Sequence, residues 1–280
     1  MLERFSAGSL HRPFLTALVL VAVQYSPRGL HAQASQPEAK RAVEAAVQSE
    51  LNASNTDKSH WIYRGHDVVP GKDISYLAVQ TKDGELKRTT ERWGRPLDPQ
   101  ASNEDLNQIS EFVNDPSAQA KRHREDVHDD EQAAALLKML PTAYIWTVVS
   151  ETPDSITLAY HPDPAFDPPN MEARVMGTMA GQMVIVKNGN RIRTLRGKLI
   201  EDVKIAFGLI GRMNQGGTFD IERREIAPGI WQITETHVHI GGHALFKTIG
   251  QQEDEVKTDW KPSPAHNLQE AEALLRNPAK

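Results

Sequence analysis

From residue 35 onward the chain opens on a helical period and then changes to strands. Ala39, Val43, Ala46, Val47 and Leu51 recur at helical spacing, which lines one face of a helix with apolar side chains. Ser35-Gln36-Pro37-Glu38 supplies its start: a capping residue, a proline in the first turn and a glutamate three positions on. The polar stretch 52–59 (NASNTDKS) is expected to be a connector. Strand-like runs follow at 60–64, 74–81 and 85–93, the last two flanking Lys82-Asp83-Gly84, a hairpin signal. Residues 94–141 break this pattern and are expected to be a helical insertion. Pro96, Pro99 and Ser102 lead into a helix near 104–113, and Asp115-Pro116-Ser117 caps a longer one that should end at Pro141. The front of that helix, 121–131 (KRHREDVHDDE), is almost entirely charged, so it should be solvated, while 133–140 (AAALLKML) can pack on the body.

Beyond Pro141 the pattern is of short strands. Runs at 144–149 and 156–160 precede a proline-rich loop at 161–170 (HPDPAFDPPN). Runs at 183–186 and 191–195 flank Asn188-Gly189, runs at 203–209 and 218–226 flank Asn214-Gln215-Gly216-Gly217, and runs at 230–240 and 244–249 flank Gly241-Gly242. A last run at 255–260 closes the series. Connections this short hold no crossover helices, so the sheet should be antiparallel and meandering. Phe219 and Ile221 alternate with Asp220, Glu222 and Arg224, giving one apolar and one charged face. Residues 183–186 are apolar on both parities, which predicts a strand covered on both sides, by helices on one of them. Asn267 with Glu270 starts a short C-terminal helix carrying Ala271, Leu274 and Leu275.

The first 34 residues have the composition of an export signal. Arg4 and Arg12 precede the apolar run 14–23 (FLTALVLVAV), and Ala32-Gln33-Ala34 is a small-x-small cleavage site. Ten apolar residues are too few to span a bilayer, which needs about 20, and no later segment is apolar enough to do so. The expectation is an exported protein, periplasmic or secreted after cleavage near Ala34, with residues 35–280 forming one β-rich domain around the 94–141 insertion. There is no cysteine beside the cleavage site to be acylated, and none anywhere else. Disulfides and thiolate chemistry are therefore excluded. Removing residues 1–34 takes away three arginines and one glutamate, so the net charge of −5 becomes −7. That balance gives no electrostatic reason to bind nucleic acid.

The usual catalytic signatures are missing. There is no Gly-x-Ser-x-Gly, His-Glu-x-x-His or Gly-x-Gly-x-x-Gly, and 242–248 (GHALFKT) lacks the glycine that a phosphate loop needs before its lysine. No cofactor is implied, and the chain is not expected to be an enzyme. The best chemical candidate is His237-Val238-His239 with His243 after the expected turn. Two imidazoles on one strand face, a third folded back toward them and Glu235 on the same face would suit a metal-dependent hydrolase. Solvated or edge-strand histidines are the plainer alternative. His123 and His128 are five positions apart on the charged helix and face different ways. The aromatics offer another reading. Trp61, Tyr63, Phe207, Phe219, Trp231 and Phe246, with Leu209 and Ile221, lie on predicted strands of one sheet. They are ordinary core if that sheet is packed, and line a cavity for an apolar ligand if it curves with nothing filling it.

Taken together, an amphipathic helix, a meandering antiparallel sheet and further helices to cover it resemble the LolA-type periplasmic lipoprotein carriers. The stretch 181–250 also resembles exported bacterial proteins described as outer-membrane lipoprotein-sorting-like, through 181–185 (GQMVI), 216–219 (GGTF), 228–231 (PGIW) and 245–249 (LFKTI). The resemblance covers roughly 39–93 and 143–260, and the insertion departs from it. It implies an α+β fold with a curved, unclosed β-barrel and a helical lid, binding lipid or lipoprotein acyl chains in the hollow. The lid would be formed by helices near 36–51 and 133–140. An exported scaffold that reuses the fold without a ligand is the alternative.

Overall fold

The computed structural model describes residues 36–205, 211–244 and 247–277. Residues 1–35, on which the expected export signal falls, and Phe207, Leu209 and Phe246 lie outside these residues. Among the described residues the architecture is α+β: thirteen antiparallel strands in one unclosed sheet with five α-helices. Helix α1 (Gln36–Thr56) carries the expected apolar stripe, with Ala39, Val43, Ala46 and Val47 buried. It runs on through 52–56, expected to be connector, because Asn52 and Thr56 bond back onto the last turns. Strands β1 (Trp61–Val69), β2 (Lys72–Thr81) and β3 (Gly84–Arg92) form consecutive hairpins, and a two-residue β4 (Arg95–Pro96) edges the sheet.

The insertion is two helices, α2 (Pro99–Val113) and α3 (Pro116–Ala143), each started by an aspartate cap and a proline in the first turn. Pro141 does not end α3. It is buried in the last turn, where packing offsets the hydrogen bond its ring nitrogen cannot make. Strands β5 (Tyr144–Glu151), β6 (Ser155–Pro162), β7 (Met179–Val186) and β8 (Arg191–Leu199) make a second run of hairpins. Between β6 and β7 stands α4 (Met171–Met176), which the apolar periodicity is too short to reveal and which Asn170 caps. Short strands β9 (Val203–Ile205) and β10 (Gly211–Met213) pair with each other. The long ribbons β11 (Thr218–Ala227), β12 (Ile230–Ala244) and β13 (Lys247–Pro262) follow, and α5 (Leu268–Arg276) closes the chain behind the expected Asn267–Glu270 capping box.

Gly241-Gly242 is not a turn. Both residues continue β12, and a Cβ on Gly242 would stand 2.2 Å from the carbonyl oxygen of Arg212 on β10. The glycine marks close backbone approach within a strand instead of a reversal. Of the expected run at 244–249, Ala244 ends β12, 245–246 lie outside the described residues, and 247–249 belong with the expected run at 255–260 to one strand, β13.

The sheet order is β4-β3-β2-β1-β13-β12-β11-β8-β7-β6-β5, so the C-terminal ribbon joins the two hairpin runs by setting β13 beside β1. Cross-strand partners share a face. Following the register, Leu158, Met183, Leu195, Ile221, Thr236, Glu255 and Asp67 define a first face. Ala159, Gln182, Arg196, Asp220, His237, Asp254 and Asp73 define the second. Helix α1 and the end of α3 cover the first face at β5–β8, enclosing Trp146, Leu158, Tyr160, Met183 and Leu199. Helices α2 and α5 cover the second face at the other end, over Ile62, Leu77, Val79 and Leu86. Of the apolar run 183–186, Met183 and Ile185 are fully buried on the first face, and Val184 and Val186 are half-buried.

Candidate functional site

Three groups of side chains have chemistry beyond core packing. The first lies on the first face at its β1–β3 end, where aromatic residues take the place of a helix. Tyr63 and Tyr76 are each 2% exposed and meet edge to face, and Trp260 stacks on Tyr63 at 4.4 Å. The Tyr76 ring lies across Gly65, where a Cβ would stand 2.1 Å from its Cζ atom. The hydroxyls donate to carboxylates, Tyr63 to Glu85 at 2.8 Å and Tyr76 to Glu255. Lys257 closes on Glu255 at 2.8 Å, and Lys87 reaches both carboxylates. Burial, reinforced by these carboxylates, pushes both phenols above their ordinary range. Burial would also raise Glu255, but hydrogen bonds from Lys257 and Tyr76 outweigh it and hold the carboxyl low. Trp61 is buried beside this group and donates its indole N–H to Ser59.

The second group centres on Glu50, 6% exposed on α1. Arg191 grips it with two bonds, Nε to Oε1 at 3.1 Å and Nη2 to Oε2 at 2.9 Å. The backbone N–H of Ile192 adds a third at 2.8 Å, and Arg223 pairs with the same carboxylate from β11. Burial alone would raise the Glu50 carboxyl. The hydrogen bond from Arg191, the charge and hydrogen bond of Arg223 and the Ile192 amide together take it below the usual carboxylate range. Arg191 also donates to the carbonyl of Gly229. Beside it opens a mostly polar cleft of about 380 Å³ lined by Asn52, Asn188, Glu225 and Trp231 among others. Glu50 is not among the residues singled out from the sequence, yet it continues the buried stripe of Val43, Ala46 and Val47 at helical spacing. That periodicity is the signal that marks it.

The third group is on the second face. Asp254 accepts from His237 Nδ1 at 2.6 Å and from His239 Nε2 at 2.9 Å, and these two bonds lower its carboxyl. Arg196 pairs with Asp220 and Arg224 with Glu235 alongside. His243 does not join them. With no turn at Gly241-Gly242 it stays on β12, about 13 Å further along at 3.3 Å per residue, opposite Arg212 and Thr248. Among the described residues no group of three His, Cys, Asp or Glu side chains can hold a metal ion. His123 and His128 are exposed on α3.

Of the predicted cavity residues, the described ones separate into two sets. Trp61 and Tyr63 are packed into the β1–β3 end. Phe219, Ile221 and Trp231 are half-buried on the first face, as are Val238 and Ile240 next to them. Phe219 also closes over Gly197, filling part of that face. Along this face the core under α1 ends at Leu195, Phe219 and Ile240, and α1 reaches β11 through the ion pair between Glu50 and Arg223. No described helix is long and apolar enough to cross a membrane. No family model, curated protein or solved structure matches this chain.

Proposed function

We propose that the protein is an exported carrier that holds a lipid or lipoprotein acyl chain against the middle of the first face, on β11 and β12. One observation carries this reading. Phe219, Ile221, Val238 and Ile240 lie side by side there, half-buried, between the helix-covered core at β5–β8 and the tyrosine cluster at β1–β3. Each CH₂ removed from water contributes about 0.8 kcal/mol, so an acyl chain lying across four such side chains gains several kcal/mol without a closed cavity. The order of elements and the unclosed antiparallel sheet are the architecture that the resemblance to lipoprotein carriers implies. The alternative, an exported scaffold without a ligand, is favoured by the way Trp61, Tyr63 and Tyr76 fill the other end of the face with the chain's own side chains.

The test is native mass spectrometry of the whole protein, together with titration by a fluorescent long-chain fatty acid. Bound acyl species are expected, with affinity lost in Ile221→Glu and Val238→Glu variants whose circular dichroism is unchanged. A protein that is lipid-free on isolation and does not take up the probe is a scaffold.

A further inference from the structure

Helix α3 is anchored at both ends and bare in between. At its start Gln119 donates to the carbonyls of Phe112 and Val113 at 3.0 and 2.8 Å, and Arg122 stacks over the Phe112 ring. At its end Leu137, Leu140 and Ala143 enter the core. All of residues 120–133 are exposed, a length of about 20 Å at 1.5 Å per residue. A helix that is polar all round gains little from its own chain in such a stretch.

The order of its side chains is self-complementary. Ala120, Val127 and Ala134 recur every seven residues, a thin apolar seam in which Val127 is 42% exposed. Basic residues (Lys121, Arg122, Arg124) precede the seam's centre, and acidic ones (Asp129, Asp130, Glu131) follow it. Lay a second copy antiparallel with its Val127 on the first. Arg124 then faces Asp130 of the other copy, His123 faces Glu131, and Ala120 faces Ala134, each contact made twice by the two-fold axis. Arg124, Asp130 and Glu131 make no ion pair within the chain among the described residues, so these charges are available. We propose that the exposed centre of α3 is a self-association surface, pairing two copies of this chain antiparallel about Val127.

The interface is short, and its charges are solvated. It therefore belongs with weak, transient contacts whose strength falls with salt. Sedimentation equilibrium of the full chain is expected to show a monomer–dimer equilibrium in about 50 mM salt that shifts to monomer in about 1 M, where screening is complete within about 3 Å. Arg124→Asp and Asp130→Arg each place like charges together at two symmetric contacts, so each variant alone should dissociate with Kd raised about tenfold or more. Mixing the two single variants restores both contacts, as does the double variant, and either should recover the dimer. Helicity by circular dichroism checks that α3 remains folded. A chain that is monomeric in low salt overturns the proposal. So does a dimer that the single exchanges leave unchanged, or one that the mixture fails to restore.

Discussion

Replacing Glu50 with glutamine leaves two guanidinium groups, Arg191 and Arg223, converging on a neutral amide beneath α1. Removing one partner of a buried ionic cluster costs about 3–5 kcal/mol, because the remaining charges stay desolvated and unpaired. For a chain of this size that lowers Tm by about 6–20 °C. The pH dependence follows from the direction of the Glu50 shift. Its folded pKa lies below the ordinary value of 4.5, so its contribution is complete above that value and is lost as pH falls through the folded one. Thermal melts should therefore show a wide gap between the parent protein and Glu50→Gln at neutral pH that narrows as pH falls through the lowered pKa of Glu50. A gap that is constant with pH means the carboxylate's charge is not what holds α1. Gly65 makes the opposite kind of demand. Gly65→Ala drives a methyl into the Tyr76 ring, which is fixed by its bond to Glu255, so about 1–3 kcal/mol should be lost to overpacking. Chemical denaturation measures it, and a neutral result would mean that the tyrosine cluster is loosely held.

Local chemistry decides the elements that stood out in the sequence. Asp115 and Asn267 cap helices where expected, because their side-chain oxygens satisfy amides that the first turn leaves unpaired. Asn267→Ala should cost about 1 kcal/mol and loosen Leu268 and Leu275, which α5 carries into the core. Hydrogen exchange in the first turn of α5 would register it, and unchanged protection there would place the cap's role elsewhere. The hairpins at 82–84 and 188–190 were legible for the same reason, since their turn residues answer to neighbours two or three positions away. What the sequence did not reveal depends on distant partners. Gly241-Gly242 has turn composition, but its meaning comes from β10 lying against it. The pairing of β1 with β13 joins residues nearly two hundred positions apart, and no local pattern announces it. The candidate site was partly legible on those terms. Alternation placed Phe219 and Ile221 on an apolar face, whereas the packing of Tyr63 and Tyr76 into an aromatic cluster depends on Trp260 and Glu255 from the far end of the chain.

At the scale of the molecule, the described sheet carries two helix-covered cores on opposite faces. One lies under α1 and the end of α3 at β5–β8, the other under α2 and α5 at β2–β3, and the ribbons β11–β13 between them carry mostly half-buried side chains. Cooperativity between the ends must then pass through backbone pairing in those ribbons, which contribute less burial than either end. Such an arrangement favours opening in parts over a single global event. Leu275, fully buried in the α2–α5 core, is the probe. Leu275→Ala should cost about 2–5 kcal/mol at its own end. Native-state hydrogen exchange should show protection falling in α5, α2, β2 and β3 while the amides of β6 and β7 keep theirs. Leu158→Ala, in the other core, should give the mirror image. If either substitution lowers protection equally at both ends, the ribbons transmit stability as well as a packed core does, and the half-buried face on β11 and β12 is stiffer than an adaptable lipid-binding surface needs to be.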